Sequence, residues 1–231
     1  MSKPQDPSDQ FKSQITQEEL DEKIKLHYKF LQGLSGGRRL TLQFANLSGL
    51  NFSRRNLSKS ILTGSALIGA NLARAMFDQA NLFGCDMRFT NMEGTSFKKA
   101  DLRGVCARGA RLNGADLQAA DLREGQVLTY GDTGELSSLY IDIDPPNPDG
   151  ITDFSSAKMR KARLTGAEAP HADFSDSEMI DVRVKDANLK GANFSGANLE
   201  NVDFTGANLE NVNLENSILY GVDLERPEFE K

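Results

Sequence analysis

Residues 191–210 read GANFSGANLENVDFTGANLE. Every fifth residue is large and apolar: Phe194, Leu199, Phe204 and Leu209. Small residues precede these centres by two, at Ala192, Ala197 and Ala207, and Asn or Asp stands between, at Asn193, Asn198, Asp203 and Asn208. A period of five fits neither the 3.6 of a helix nor the 2 of a strand. Each unit must turn a corner, which Asn, Asp and Gly allow.

The same step of five runs back from Phe194 through Leu189, Val184, Met179, Phe174, Ala169, Leu164 and Met159 to Phe154, and forward to Leu224. An earlier run spans Leu42 to Leu122, where sixteen of seventeen centres are Leu, Phe or Met and only Ala107 departs. A longer period lies on top of the first. Phe154, Phe174 and Phe194 are spaced by twenty, as are Met159 and Met179, and Phe77 and Phe97. Four units per coil put these residues in stacks, and like-on-like stacking suits a solenoid in which each coil packs only on its neighbours. The expected core ladder is therefore Phe77, Phe97, Phe154, Phe174, Phe194, Met159 and Met179.

The A-(D/N)-L-x-x pattern over residues 40–124 and 152–225 resembles the pentapeptide-repeat family. The resemblance implies an all-β, right-handed quadrilateral β-helix, with centres and small residues inward and the other three positions outward. The resemblance fixes the fold better than the role; with no catalytic motif and no secretory signal in the sequence, the expected protein is a non-enzymatic, cytoplasmic, bacterial interaction scaffold of unidentified partner. One branch of that family mimics DNA, binds bacterial type II topoisomerases such as gyrase, and protects against quinolones. Its acidic, dimeric rods are matched in part by Glu200, Asp203, Glu210, Glu215, Asp223 and Glu225, but the first half here is basic and a C-terminal dimer helix is missing.

The expected organisation is a disordered tail (1–15), an N-terminal capping helix (16–37), a first solenoid part (38–124), an inserted hairpin-like loop (125–151) and a second part (152–231). The helix opens with the capping box Thr16-Gln17-Glu18-Glu19. Leu20, Ile24, His27 (or Tyr28) and Leu31 follow at helical spacing, and Gly36-Gly37 is the expected stop. The C-terminus lacks an equivalent, with Phe229 a minimal plug, so the last coil is a candidate for self-association.

In the insert, Val127–Tyr130 and Leu139–Ile143 read as strands around a Gly131–Gly134 turn. It either projects to contact a protein partner or folds back on one face. The residues that would carry recognition are Tyr130, Asp132, Leu139, Tyr140, Asp142 and Asp144. Asp142, Asp144, Asn147 and Asp149 do not follow the EF-hand spacing, so no metal is expected.

No catalytic residue and no cofactor is expected. The repeated Asp residues have a corner role, His171 has no companion motif, and Cys85 falls on the inward small track. Cys106 reads as exposed. Two cysteines in 231 residues indicate a reducing compartment. No apolar stretch is long enough to span a bilayer.

The charge is uneven. Residues 38–124 hold thirteen basic and seven acidic residues, and residues 152–231 hold nine basic and fifteen acidic. Two further readings follow. The basic half could bind nucleic acid, although no interleaved aromatics support stacking. Basic and acidic halves of two molecules could instead pair head-to-tail.

Overall fold

The computed structural model describes residues 13–123, 125, 128–130, 136–138 and 152–222. Its main body is a stack of square coils. Parallel bridges link residues one coil apart, from Thr41↔Ile61 and Asn46↔Ala66 to Asn193↔Asn213 and Asn198↔Ile218. Four faces result. The first carries centres Leu42, Leu62 and Leu82, the second Leu47, Leu67 and Met87, the third Phe52, Leu72 and Met92, and the fourth Leu57, Phe77 and Phe97.

The unit Ala70-Asn71-Leu72-Ala73-Arg74 shows why this composition makes this shape. A buried N–H without an acceptor is costly, so all five must be accounted for. The Ala70 N–H closes a turn onto the Leu67 carbonyl at 2.9 Å, and the Asn71 N–H donates to Leu50 of the preceding coil at 3.0 Å. The Leu72 and Arg74 N–H groups donate to Asn91 and Glu93 of the following coil at 2.7 and 2.8 Å. Only Ala73 lacks a backbone acceptor, and the Asn71 Oδ1 accepts its N–H at 3.2 Å. The Asn or Asp before each centre is thus a cap for the residue after it, as in an Asx turn. The same bond recurs at Asn46, Asn81, Asp101, Asp173, Asn193 and Asn208. Two residues past each centre φ is positive, as at Gly69 (63°), Arg74 (59°) and Lys161 (57°). A turn with positive φ at its third residue favours glycine there, so non-glycine residues at these corners carry strain.

Inside, centres stack on centres. The rings of Phe77 and Phe97 lie 5.6 Å apart, those of Phe154 and Phe174 5.6 Å, and those of Phe174 and Phe194 5.1 Å. Met159 and Met179 are fully buried in the same core. Polar small-track residues mostly reach a backbone carbonyl: the Ser65 and Thr95 hydroxyls donate to Leu42 and Leu72 of the preceding coil, and those of Thr90 and Ser177 to Met87 and Phe174 of their own turn, while the Ser60 hydroxyl has no partner. Ala107, too small for its position, leaves a gap lined by Met87, Phe97, Val105 and Phe154, with no room for a water molecule.

The first coil has no preceding coil, yet its edge is occupied. Strand β1 (Ser13–Gln14) pairs in parallel with β2 (Ala45–Asn46) on the second face. Ordered pairing at Ser13 and Gln14 corrects the expectation of a disordered tail through residue 15; residues 1–12 lie outside the described residues. Helix α1 (Gln17–Leu31) follows, with its capping box formed between Thr16 and Glu19. The Gln17 side chain exchanges two hydrogen bonds with the Asn51 backbone, at 3.0 and 2.8 Å, as a neighbouring strand would. Leu20, Ile24 and His27 are buried, and His27 Nδ1 accepts from the Leu40 N–H at 3.0 Å. The helix ends at Leu31, and the chain turns at Gly33 with φ 68°, earlier than the Gly36-Gly37 stop. Gly37 instead permits a close approach of backbone to backbone, since a Cβ there would meet the Phe30 backbone nitrogen.

Two measurements probe this core and its cap. Phe174 is fully buried and held between the rings of Phe154 and Phe194. Phe174→Ala should lose about 3–5 kcal/mol in urea unfolding, and a loss under about 1 kcal/mol would contradict the stack. His27 is held neutral, since burial lowers its pKa and Arg39 adds to the effect against an opposing contact with the Ser58 backbone. The unfolded chain then binds a proton that the folded chain refuses. Stability contributed by the α1 contact should fall as pH drops below about 6.5, the ordinary histidine value. In His27→Gln, which keeps an acceptor but cannot titrate, hydrogen exchange in α1 should lose this pH dependence.

Candidate interaction surfaces

Cys85 is fully buried and its thiol bonds to the Leu62 carbonyl. Cys106 is also buried, at 2% exposure, which corrects the expectation that it faces solvent. It occupies an outward position on the second face, but Asp153 and the neighbouring coil enclose it. Burial pushes both thiols up to about 12. His171 sits at an exposed corner with φ 58°. Among the described residues no His, Cys, Asp and Glu group is arranged to hold a metal, and no helix is long and apolar enough to cross a membrane.

The insert leaves the ladder intact. Asp101 bridges Asp121 in the ordinary way, and the next step pairs Cys106 with Asp153, 47 residues on. Arg111↔Lys158, Asp116↔Arg163 and Asp121↔Glu168 keep that offset. The extra chain therefore departs between the first face and the second without disturbing either. Thr152 closes the joint, accepting from the Gly104 N–H and reaching the Arg123 carbonyl. The exit is tight. A Cβ on Gly104 would meet the Gly125 oxygen, and one on Gly125 would meet the Phe83 ring at 2.6 Å.

Within the insert, β3 (Leu128–Tyr130) pairs antiparallel with β4 (Leu136–Ser138), with Tyr130 opposite Leu136. The returning strand thus begins at Leu136, not at Leu139 as the sequence pattern suggested. Apolar runs alone mark strand-forming residues poorly when a five-residue loop is as favourable as a four-residue turn. Tyr130 is placed in β3; Asp132, Leu139, Tyr140, Asp142 and Asp144 lie outside the described residues, as does Phe229.

Along the first two faces, from the second coil to the Phe83 ring at the exit, several outward positions depart from the polar pattern, although Ala66 itself is buried. Ile61 and Ala66 stand where an Asn or Asp cap belongs, and Ile68, Phe83 and Phe89 occupy other outward positions on the first two faces. Phe89 is 64% exposed and its ring lies over Gly109, where a Cβ would come within 2.9 Å. Arg103 stacks over Phe83 at 5.0 Å while bonding Asp101 at 2.8 Å. Asp86, at 0% exposure, is gripped by Arg88 at 2.7 Å, and Asp153 by Arg108 at 3.1 Å. Sequence reasoning missed this surface. Its signal was present, because an apolar residue at an outward repeat position is out of place.

Square coils, one centre per side and recurrent Asx caps define a quadrilateral β-solenoid. The pentapeptide-repeat profile matches in 8 copies, over residues 38–74, 80–118, 152–186 and 187–226. The chain belongs to the pentapeptide-repeat family. No curated protein matches it in sequence. Among solved structures it is similar to HetL, a pentapeptide repeat protein involved in heterocyst differentiation regulation from the cyanobacterium Nostoc sp. strain PCC 7120. That likeness has 24% identity and a TM-score of 0.53, covering 79% of this chain and 77% of HetL. It is similar also to trypsin-treated QnrB1, a plasmid-mediated fluoroquinolone resistance protein, at 18% identity and a TM-score of 0.51, covering 78% of this chain and 84% of that one. These likenesses speak to the fold, a right-handed β-helix, and they indicate no catalytic family.

The thiols give a direct check on this burial. Neither Cys85 nor Cys106 should react with a thiol-specific reagent in the native protein over hours at neutral pH, and both should react on unfolding. Fast native labelling of Cys106 would show that the joint at Asp153 opens.

Proposed function

We propose that this chain is a non-enzymatic protein-interaction scaffold whose insert, with the apolar surface beside its exit, carries recognition. The observation behind this reading is the undisturbed ladder across the insert. A rigid solenoid that keeps its register through such an addition is a platform for a loop, and loops on rigid platforms are where binding concentrates. Tyr130, Asp132, Leu139, Tyr140, Asp142 and Asp144 are the insert residues assigned to the contact. Helix α1 acts as the cap that keeps the first coil from pairing with other chains. Two unpaired thiols suit a cytoplasmic setting.

The topoisomerase-binding alternative asks for a surface that imitates duplex DNA, negative along its length. The third face instead presents Arg111, Lys158, Arg160 and Lys161 midway along the solenoid. That interruption favours the scaffold reading over mimicry. Nucleic-acid binding by the basic residues is disfavoured by the acidic coils that follow.

The test is affinity capture from native lysate, using the full chain and a variant with residues 126–150 replaced by a short Gly-Ser linker. Thermal melting should be nearly unchanged, because the ladder does not run through the insert. A defined partner retained by the full chain and lost by the variant is expected. Capture of the same proteins by both would remove the insert from the recognition role.

A further inference from the structure

The third face departs from the repeat in a second way. The Asn or Asp cap before each centre holds through Asn51, Asn71 and Asn91, then gives way to Arg111, Lys158 and Glu178, which are successive ladder neighbours. The exchange has a structural cost. Among the described residues the Asn113 and Ile180 N–H groups have no side-chain acceptor, and Arg160 borrows Asn113 Oδ1 of the preceding coil at 3.2 Å. Arg111 and Lys158 also stand side by side, and like charges in directly paired positions repel. Local departures from a structural rule tend to mark functional surfaces.

The charges on this face form two adjacent bands. Arg111, Lys158, Arg160 and Lys161 make a basic band, and Glu178, Asp181 and Glu200 on the next coils make an acidic one. Only part of this charge is neutralised within the chain. Arg111 lies 3.5 Å from Glu93 and Arg160 2.8 Å from Glu178. Lys158, Lys161, Asp181 and Glu200 form no salt bridge among the described residues, and Lys158, Lys161 and Asp181 are exposed. The face is also bare at the corner Gly114, where a Cβ would meet nothing within 4 Å.

We propose that two copies of this chain associate side by side and antiparallel through the third face. A two-fold axis between the basic and acidic bands, perpendicular to the solenoid axis, sets Lys158 and Lys161 of one copy opposite Glu178 and Asp181 of the other. It sets the coil of Arg111 opposite the coil of Glu200, with Arg111 facing Asn198 and Glu200 two residues along the chain from that point, and it makes each contact twice, as an isologous interface requires. A parallel arrangement would set each band against its own kind. The interface differs from end-to-end contact through the last coil, and it does not depend on any partner of the insert. One flat face is narrow, and exposed ion pairs are individually weak, so the dimer is modest in affinity and sensitive to salt.

The test uses the full chain alone. Sedimentation velocity at about 20 mM salt should show dimer, and at about 500 mM salt the dissociation constant should rise at least tenfold. The double variant Lys158→Glu with Lys161→Glu should be monomeric at low salt. So should Glu178→Lys with Asp181→Lys. Mixing the two should restore a dimer containing one of each, because the reversed bands then match across the axis. Thermal melts of each variant establish that it is folded. Single-chain mass for the unaltered protein at low salt and about 100 μM would overturn the proposal, whatever the variants do. A dimer that survives in both variants, or one insensitive to salt, would also overturn it.

Discussion

The structure depends on hydrogen bonding that runs mainly between coils. In a unit that follows the repeat, one backbone N–H closes the local turn, one points to the preceding coil and two point to the following coil. The fifth is held by the side-chain cap that Asn or Asp supplies. No single coil can satisfy itself. Stability therefore accrues through neighbours, and the two ends of the stack are the places where the arrangement needs help. At the first coil that help comes from unlike sources: a two-residue strand, a glutamine side chain that imitates a strand, a buried histidine nitrogen, and the Tyr28 hydroxyl within 3.4 Å of the Asn56 N–H. The variety is informative. An edge needs acceptors and donors at set places and does not care which chemical group provides them.

The same hydrogen-bond logic gives function a place to appear. A residue before a centre that is not Asn or Asp gives up a cap, so its presence asks for a reason. At Glu168 the reason is local: residue 170 is proline, which has no N–H to cap. At Ile61 and Ala66 the substitutes are apolar, and they stand on the two faces between which the insert departs three coils later. At Arg111, Lys158 and Glu178 the substitutes are long and charged, and they cluster on one face. Departures occur on all four faces, among them Met76, Ser96, Arg163 and Arg183 on the fourth, and the third face is set apart by long charged residues at three successive ladder positions.

Much of this was legible in the sequence. The period of five marks the inward residues, and the spacing of twenty alone places Phe154, Phe174 and Phe194 in one stack. What stayed hidden depended on contacts that no short-range pattern encodes. Cys106 looks exposed by position and is covered because the ladder resumes 47 residues later at Asp153. Ser13 and Gln14 carry no strand signal, and they pair because the first coil offers an edge. Phe83 and Phe89 read as irregularities until Gly125 and Gly109 are seen against their rings.

Charge is where the linear reading misleads most. Counted along the chain, Lys158, Arg160, Lys161 and Arg163 belong to an acidic half. Counted on the solid, they stand directly beside Arg111 and Asp116, and the boundary between positive and negative falls one coil later. Alternate units of the sequence go to different faces, so a net charge per half averages over surfaces that no partner can touch together. A partner sees one side of the square at a time. On the third side it meets a basic band and an acidic band of matching breadth, an arrangement that only an antiparallel copy, or a ligand with the same two-banded charge, can satisfy throughout.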